Sequence, residues 1–318
     1  MHDAAVYLRA AVSSAIEQEG PESEVVVYDD ASTDNSAEVA EELARQYAPR
    51  VRVLRGGQNR GVSVARNRAC EAAAAEMIAF LDADDAFLPG HLRRSAEILE
   101  AGEGTALTFG RAVVVRESDD SGRPAPPAWT SPAGGAEHWG GAERPGTVPD
   151  AFRLLLRANI VPTSTVVCRR SAWREAGGFE TGLAFQQEDH LLWTRIAYRH
   201  AVHDVGVSAA RYRVHARSYS ARKQNEATAS AREIEYLQRM QAWVPEADVE
   251  ARRALAEAWD PVAQRVLYRL YRCLRAADGR GAWREARALL KVPHKRSLLS
   301  APRRWREARA LMGRPSPR

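Results

Sequence analysis

The chain has 318 residues, room for one large domain with an appendage or for two modest domains. Hydrophobic residues make up 45%, which supplies a core and excludes a disordered chain; no run reaches the roughly 20 apolar residues of a membrane-spanning helix, and no basic-then-apolar leader opens it, so a cytoplasmic location is expected. The net charge of +5 is uneven: eleven Lys or Arg and two Glu give residues 281–318 a charge of +9 and leave −4 for residues 1–280, so the basicity belongs to a tail and no nucleic-acid module or partner is expected.

Taken in chain order, residues 4–18 read as a helix and EVVVY (24–28) as a buried strand. The polar turn DDASTDNS follows, with Asn35 and Glu38 at capping-box spacing. Val39, Leu43 and Tyr47 make the apolar face of the next helix. VRVL (51–54) is a second strand, GGQNRG (56–61) a loop, 62–75 an Ala-rich helix and MIAFL (77–81) a third strand running into DADD (82–85). Pro89 suits the first residue of another helix. Residues 118–149, twelve of them Pro or Gly and with Trp129 and Trp139 among them, read as a long surface loop. A helix near 150–157, a strand at 163–169, a helix over 188–200 and a strand near 210–214 come next. From about 225 the pattern is helical. The alternation predicts an α/β sandwich with a mostly parallel sheet over residues 1–222 and a helical extension over 223–318. Cys70, Cys168 and Cys273 are scattered without metal-ligand spacing and read as buried thiols.

Three polar clusters fall just past strand ends, where α/β sheets place ligands. In Asp29-Asp30-Ala31-Ser32, a carboxylate can accept from a base or ribose edge with Ser32 adding a contact; such a residue also serves as a turn former. In FLDADD, Asp82 and Asp84 lie two apart, and carboxylates so close need donors or a cation, which Mg²⁺ or Mn²⁺ with diphosphate oxygens would supply; a solvated turn, or a helix cap at Asp85, is the plain alternative. Glu188 and Asp189 open a helix, where acids are favoured by the dipole; Asp189 can equally act as a general base.

Taken together, in this order, these segments resemble the family 2 glycosyltransferases. VVVYDDASTDNS (25–36), NRGVSVARNRA (59–69), FLDADD, NIVPTSTVVCRRSAWREAGGFE (159–180), EDHLLWTR and YRVHARSYS (212–220) carry the resemblance, over residues 2–220. It implies the GT-A fold and an inverting, non-processive transfer of one sugar from a nucleotide sugar, UDP-linked by expectation, to a glycan, a lipid-linked glycan or a cell-envelope polysaccharide precursor. By resemblance, Asp29, Asp30, Ser32, Asn59, Arg66 and Asp82 meet the nucleotide. Asp84, with Asp82 and His215, meets Mn²⁺ or Mg²⁺, Glu188 the acceptor, and Asp189 is the base. Arg169 and Arg170 reach phosphate or plain surface. The family's opening strand is absent before Met1-His2-Asp3, so the natural start is expected upstream, or the chain truncated. Ala31 replaces a common Gly, a mild change, and no Gln-x-x-Arg-Trp segment of processive synthases follows Asp189. The basic, Trp-bearing tail 281–318 suits peripheral contact with an anionic membrane face, or a solvated helix. A sugar nucleotidyltransferase and a non-catalytic nucleotide-sugar-binding protein are the competing readings.

Overall fold

The structure, a computed structural model, describes residues 1–20, 22–102, 104–116, 138–184, 187–215, 218 and 228–293. It divides into two units, Met1–Gln224 and Asn225–Arg318. In the first, α1 (Ala5–Ile16) leads into β1 (Val25–Asp29), whose valines favour extended backbone. α2 (Ser36–Gln46) returns the chain to β2 (Val51–Arg55), which pairs parallel with β1. Leu8, Val12, Val27, Ala40, Leu43 and Val51 close a core between these elements. Met1 lies along the end of β1: its amino group donates to the Tyr28 carbonyl at 2.6 Å, and the Asp30 N–H donates to the Met1 carbonyl at 2.9 Å. The expected capping box is not formed. The Asn35 side chain makes no cap bond; Asp34 instead accepts from the Ser36 N–H at 2.9 Å and the Ala5 N–H at 3.3 Å.

After α3 (Val62–Ala72) come β3 (Met77–Ala79), β4 (Ala86–Phe87), α4 (His91–Ala101) and β5 (Thr105–Arg116). β6 (His138–Trp139), β7 (Gly146–Thr147), α5 (Ala151–Arg157) and a 3₁₀ turn (Thr163–Thr165) follow. β8 (Val167–Arg169), α6 (Arg170–Glu175), α7 (Glu188–Arg199) and β9 (Ala201–Val214) complete the unit. β1 and β2 form a two-stranded sheet; the remaining strands form a seven-stranded sheet in the order β3-β8-β5-β9-β4, with β6 on β5 and β7 on β9.

The α/β class holds, but this larger sheet is mixed rather than mostly parallel. Only β5 and β9 pair parallel; β3–β8, β4–β9, β5–β6, β5–β8 and β7–β9 are antiparallel. Strands β4 and β7, of two residues each, are reached through loops, and the parallel sense needs a long crossover. The long strand β5 is absent from the sequence reading, yet it supplies Leu107 and Phe109 to the main core with Phe80, Trp173, Phe179 and Trp193. Gly110 in its middle is required by close approach: a Cβ there would lie 2.7 Å from the Val207 carbonyl oxygen, beside the register shifts of the β5–β9 pair.

Other boundaries move. α4 starts at His91 after Gly90, whose φ of 77° opens the helix in place of Pro89. The strand expected at 163–169 begins as the 3₁₀ turn, and that at 210–214 is the end of β9. Within the expected loop, Trp139 sits on β6 against Tyr212, ring centroids 5.3 Å apart; residues 117–137, with Trp129, lie outside the described residues. The 222/223 boundary also lies outside them. Cys70, Cys168 and Cys273 are free thiols, the first two buried, and burial pushes Cys70 up to about 12.

In the second unit the described residues form α8 (Ala229–Trp243), α9 (Val249–Arg275) and α10 (Gly279–Leu290). Arg269 joins α9 to α8 through the Ser230 hydroxyl at 2.9 Å and Glu233 at 3.1 Å, and Ser230 donates to the buried Glu285 of α10. Among the described residues no helix is long and apolar enough to cross a membrane. Residues 294–318 of the basic tail lie outside them.

Candidate active site

The acidic run after β3 is clamped by residues far away in sequence. The Asp82 N–H donates to Ser164 Oγ at 3.2 Å, and that hydroxyl donates to Asp85 Oδ2 at 2.5 Å. Asp85 Oδ1 accepts the Arg213 N–H at 2.9 Å. Asp85 is thus a buried brace and not a cap for α4. Burial first, then the Asp84 and Asp82 charges, raises its carboxyl well above the usual range, against the Ser164 and Arg213 donors. With Asp85 turned inward, Asp82 and Asp84 keep 34% and 31% of their side chains exposed.

Arg66 on α3 closes the opposite side. Its Nη2 donates to Asp82 Oδ1 at 2.5 Å and its Nη1 to Glu188 Oε1 at 2.8 Å, with the guanidinium 5.2 Å from the Phe179 ring centroid. Burial would lower its pKa, but Asp82 and Glu188 outweigh that and hold it above its usual range. Burial, then Asp189, raises the Glu188 carboxyl, with Arg66 opposing. Asp189 accepts from Thr163 Oγ1 at 2.9 Å on one oxygen and from the His190 N–H at 2.6 Å on the other. The 3₁₀ turn therefore holds Asp189 through Thr163 and the DADD run through Ser164, on neighbouring residues.

Four of the residues expected at the nucleotide, Asp29, Asp30, Ser32 and Asn59, belong to the turns around β1 and the loop before α3. Asp29 Oδ1 accepts from the Ser32 N–H at 3.0 Å and hydroxyl at 2.6 Å. Asp30 is 3% exposed and accepts from the Arg60 N–H at 3.0 Å and the Gly61 N–H at 2.7 Å, which fixes the loop that opens α3 and so aims Arg66. Asn59 Oδ1 also accepts the Gly61 N–H, at 3.1 Å. An ionised carboxylate has about four acceptor sites, so these bonds leave some acceptor capacity unused. Ala31 between them has φ +56°, the left-handed region.

His215, just past β9, places Nε2 3.2 Å from Asp84 Oδ2. A carboxylate and an imidazole are donors that Mn²⁺ and Mg²⁺ accept, and two such groups this close would fit one divalent ion. Among the described residues there is no cluster of three or more His, Cys, Asp or Glu that could hold a metal; Asp84 and His215 are in contact, and Asp82, also expected at a metal, bonds Arg66. Tyr7 of α1 supports His215, ring centroids 4.7 Å apart, and the Arg213 guanidinium lies 5.0 Å from the Tyr7 centroid. Arg169 and Arg170 bond backbone instead of facing the site: Arg169 donates to the Thr105 and Leu99 carbonyls, Arg170 to the Ala73 carbonyl. Sequence reading passed over Tyr7, Thr163, Ser164 and Arg213; the hydroxyl run Thr163-Ser164-Thr165, buried in a β-rich stretch, was the one available signal.

With this geometry in place, the comparisons assign the class. A family model, Glycosyl transferase family 2, matches residues 1–172, and the chain belongs to that family. It is similar to the succinoglycan biosynthesis protein ExoU of Rhizobium meliloti, 46% identical over 91 residues, which are 28% of this chain and 26% of that one. For the first two curated relatives the matched share is 30% and 25% of their length. Among solved structures, S. aureus TarS 1-349 in complex with UDP-GlcNAc superposes with a TM-score of 0.56 at 16% identity, over 89% of this chain and 87% of that one. The mannosyltransferase PcManGT of Pyrobaculum calidifontis, in complex with GDP-Man and Mn2+, gives 0.52 at 17%, over 92% and 83%. The fold is that of the GT-A glycosyltransferases.

Proposed function

We propose that this chain transfers a single sugar from a nucleoside-diphosphate sugar to an acceptor hydroxyl, inverting the anomeric carbon, within residues 1–222. The observation that carries the reading is the 3₁₀ turn, which ties Asp189 through Thr163 and the Asp82–Asp85 run through Ser164. A base and a diphosphate-facing acidic pair are thereby held at a fixed spacing, so that a sugar between them meets the acceptor oxygen on one face of the anomeric carbon and loses the diphosphate from the other, as single displacement needs. Asp189 takes the acceptor proton while the acceptor oxygen bonds to the anomeric carbon and the bond to the diphosphate breaks. Thr163 and the His190 N–H hold its two oxygens in place. Glu188, locked on Arg66, lines the acceptor side.

Asp84 and His215 would hold Mn²⁺ or Mg²⁺, which would neutralise charge on the leaving diphosphate. Asp29, Asp30, Ser32 and Asn59 order the nucleoside turn. The solved relatives bind UDP-GlcNAc or GDP-Man, which supports a nucleotide-sugar donor, UDP-linked in our reading. The ExoU likeness supports a glycan, lipid-linked glycan or envelope-polysaccharide precursor as acceptor.

The test is a donor screen with Mn²⁺ that follows the melting temperature and the release of nucleoside diphosphate. Release by the unmutated protein, abolished in Asp84→Ala and Asp189→Asn, is the expected result. A donor that raises the melting temperature and is never turned over, whatever the acceptor, overturns transfer in favour of a non-catalytic donor-binding protein.

A further inference from the structure

The second unit carries a surface that sugar transfer does not use. α10 buries Gly281, Ala282, Glu285 and Ala288, while Trp283 and Leu290 stand 68% and 70% exposed on it. Trp283, Arg287 and Leu290 follow the i, i+4, i+7 spacing of one helix face, and Arg280, Arg284 and Lys291 flank them, all exposed. Glu285 is the helix's one acidic residue and it points inward, 1% exposed, bonded to Ser230. The outward face thus combines two large apolar side chains with four cations, of which Arg284 lies 3.6 Å from the buried Glu285, and no exposed carboxylate.

We infer that this face of α10 docks on an anionic lipid bilayer surface, with α10 lying in the headgroup plane. Three observations choose lipid over other occupants. The charge is complementary to anionic headgroups, each base being worth about fivefold in affinity near such a surface. Trp is suited to the headgroup boundary, and a largely exposed Leu on the same face gains only where hydrocarbon can cover it. A nucleic acid would use the cations and leave Leu290 wet. The charge is also segregated: residues 281–318 carry +9 and residues 1–280 carry −4, so attraction is confined to this end of the chain. The inference is independent of the donor chemistry above, and its readout needs no turnover.

The experiment is co-sedimentation of the full chain with vesicles of phosphatidylcholine, and of phosphatidylcholine mixed with phosphatidylglycerol. Two variants accompany it, W283S/L290S and R280Q/R284Q/R287Q, each checked by circular dichroism for retained helix. The expected result is binding to the mixed vesicles only, weakened by about tenfold or more in the first variant and about a hundredfold in the second. Equal binding of both variants and the unmutated chain overturns the inference and assigns vesicle binding to residues 294–318. No binding by the unmutated chain overturns it outright, as does a dimer in solution that either variant splits, since α10 would then face a second copy.

Discussion

Arg66 and Glu188 meet at 2.8 Å across 122 residues of sequence, and the other arm of the same guanidinium holds Asp82. One cation therefore balances carboxylates from both acidic motifs. At 15% exposure it has little water to replace it. Arg66→Met leaves Asp82 and Glu188 uncompensated. A broken buried pair costs about 3–5 kcal/mol, and because Asp82 is one-third exposed we expect about 2–3 kcal/mol in urea denaturation. Arg66→Lys, a point charge without the fork, restores one contact and part of the loss. A Met variant as stable and as active as the unmutated protein removes Arg66 from the site's framework.

Asp84 and His215 make a metal prediction. Chelation abolishes turnover and Mn²⁺ restores it. His215→Ala raises the Mn²⁺ concentration for half-maximal activity by about tenfold or more, while Tyr7→Leu, which removes the ring packed on His215, gives a smaller shift in the same direction. Titration of activity against Mn²⁺ measures both. An unchanged Mn²⁺ requirement in His215→Ala takes the imidazole out of the metal site.

The turn at Ala31 shows where sequence and structure part. Replacement of a Gly there reads as mild, yet the residue sits at φ +56°, where a Cβ is strained. Ala31→Gly relieves that strain and is expected to stabilise the protein by about 1 kcal/mol, less the extra backbone freedom Gly gains when unfolded. Chemical denaturation reads the difference, and a destabilised Gly variant contradicts it.

These cases show why some of the molecule was legible and some was not. β1, β2, β3 and the acidic residues Asp30, Asp84 and Asp189 stand in short runs whose neighbours announce them. Asp85 read as a helix cap because its partners, Ser164 and Arg213, are 79 and 128 residues away. Asn35 and Glu38 matched a capping pattern that Asp34 and Ser36 pre-empt by a shorter-range bond. β5 carries Gly110, a residue that weakens a strand pattern, at a point where a Cβ would meet the Val207 carbonyl oxygen of β9. Local pattern fixes what a residue can do; only packing decides which of its options is taken.

His91 supplies the pH prediction. It is 2% exposed at the start of α4, packed against the Phe87 ring at 5.1 Å, and its Nε2 has no hydrogen-bond partner among the described residues. Burial lowers its pKa to about 4. A histidine whose folded value lies below its unfolded value of about 6.5 is protonated first in the unfolded chain. The stability that comes from keeping it neutral is fully present above about pH 6.5 and is lost as pH falls toward 4. At about 1.4 kcal/mol per pH unit the loss is of order 3 kcal/mol over that window. His91→Phe keeps the ring packing and has nothing to titrate. Unfolding free energies of the two proteins, measured from pH 7 to pH 4, should therefore converge as pH falls if Phe starts out less stable, or separate further in its favour if it starts out equal. Parallel curves mean that water reaches the imidazole and that burial does not set its charge.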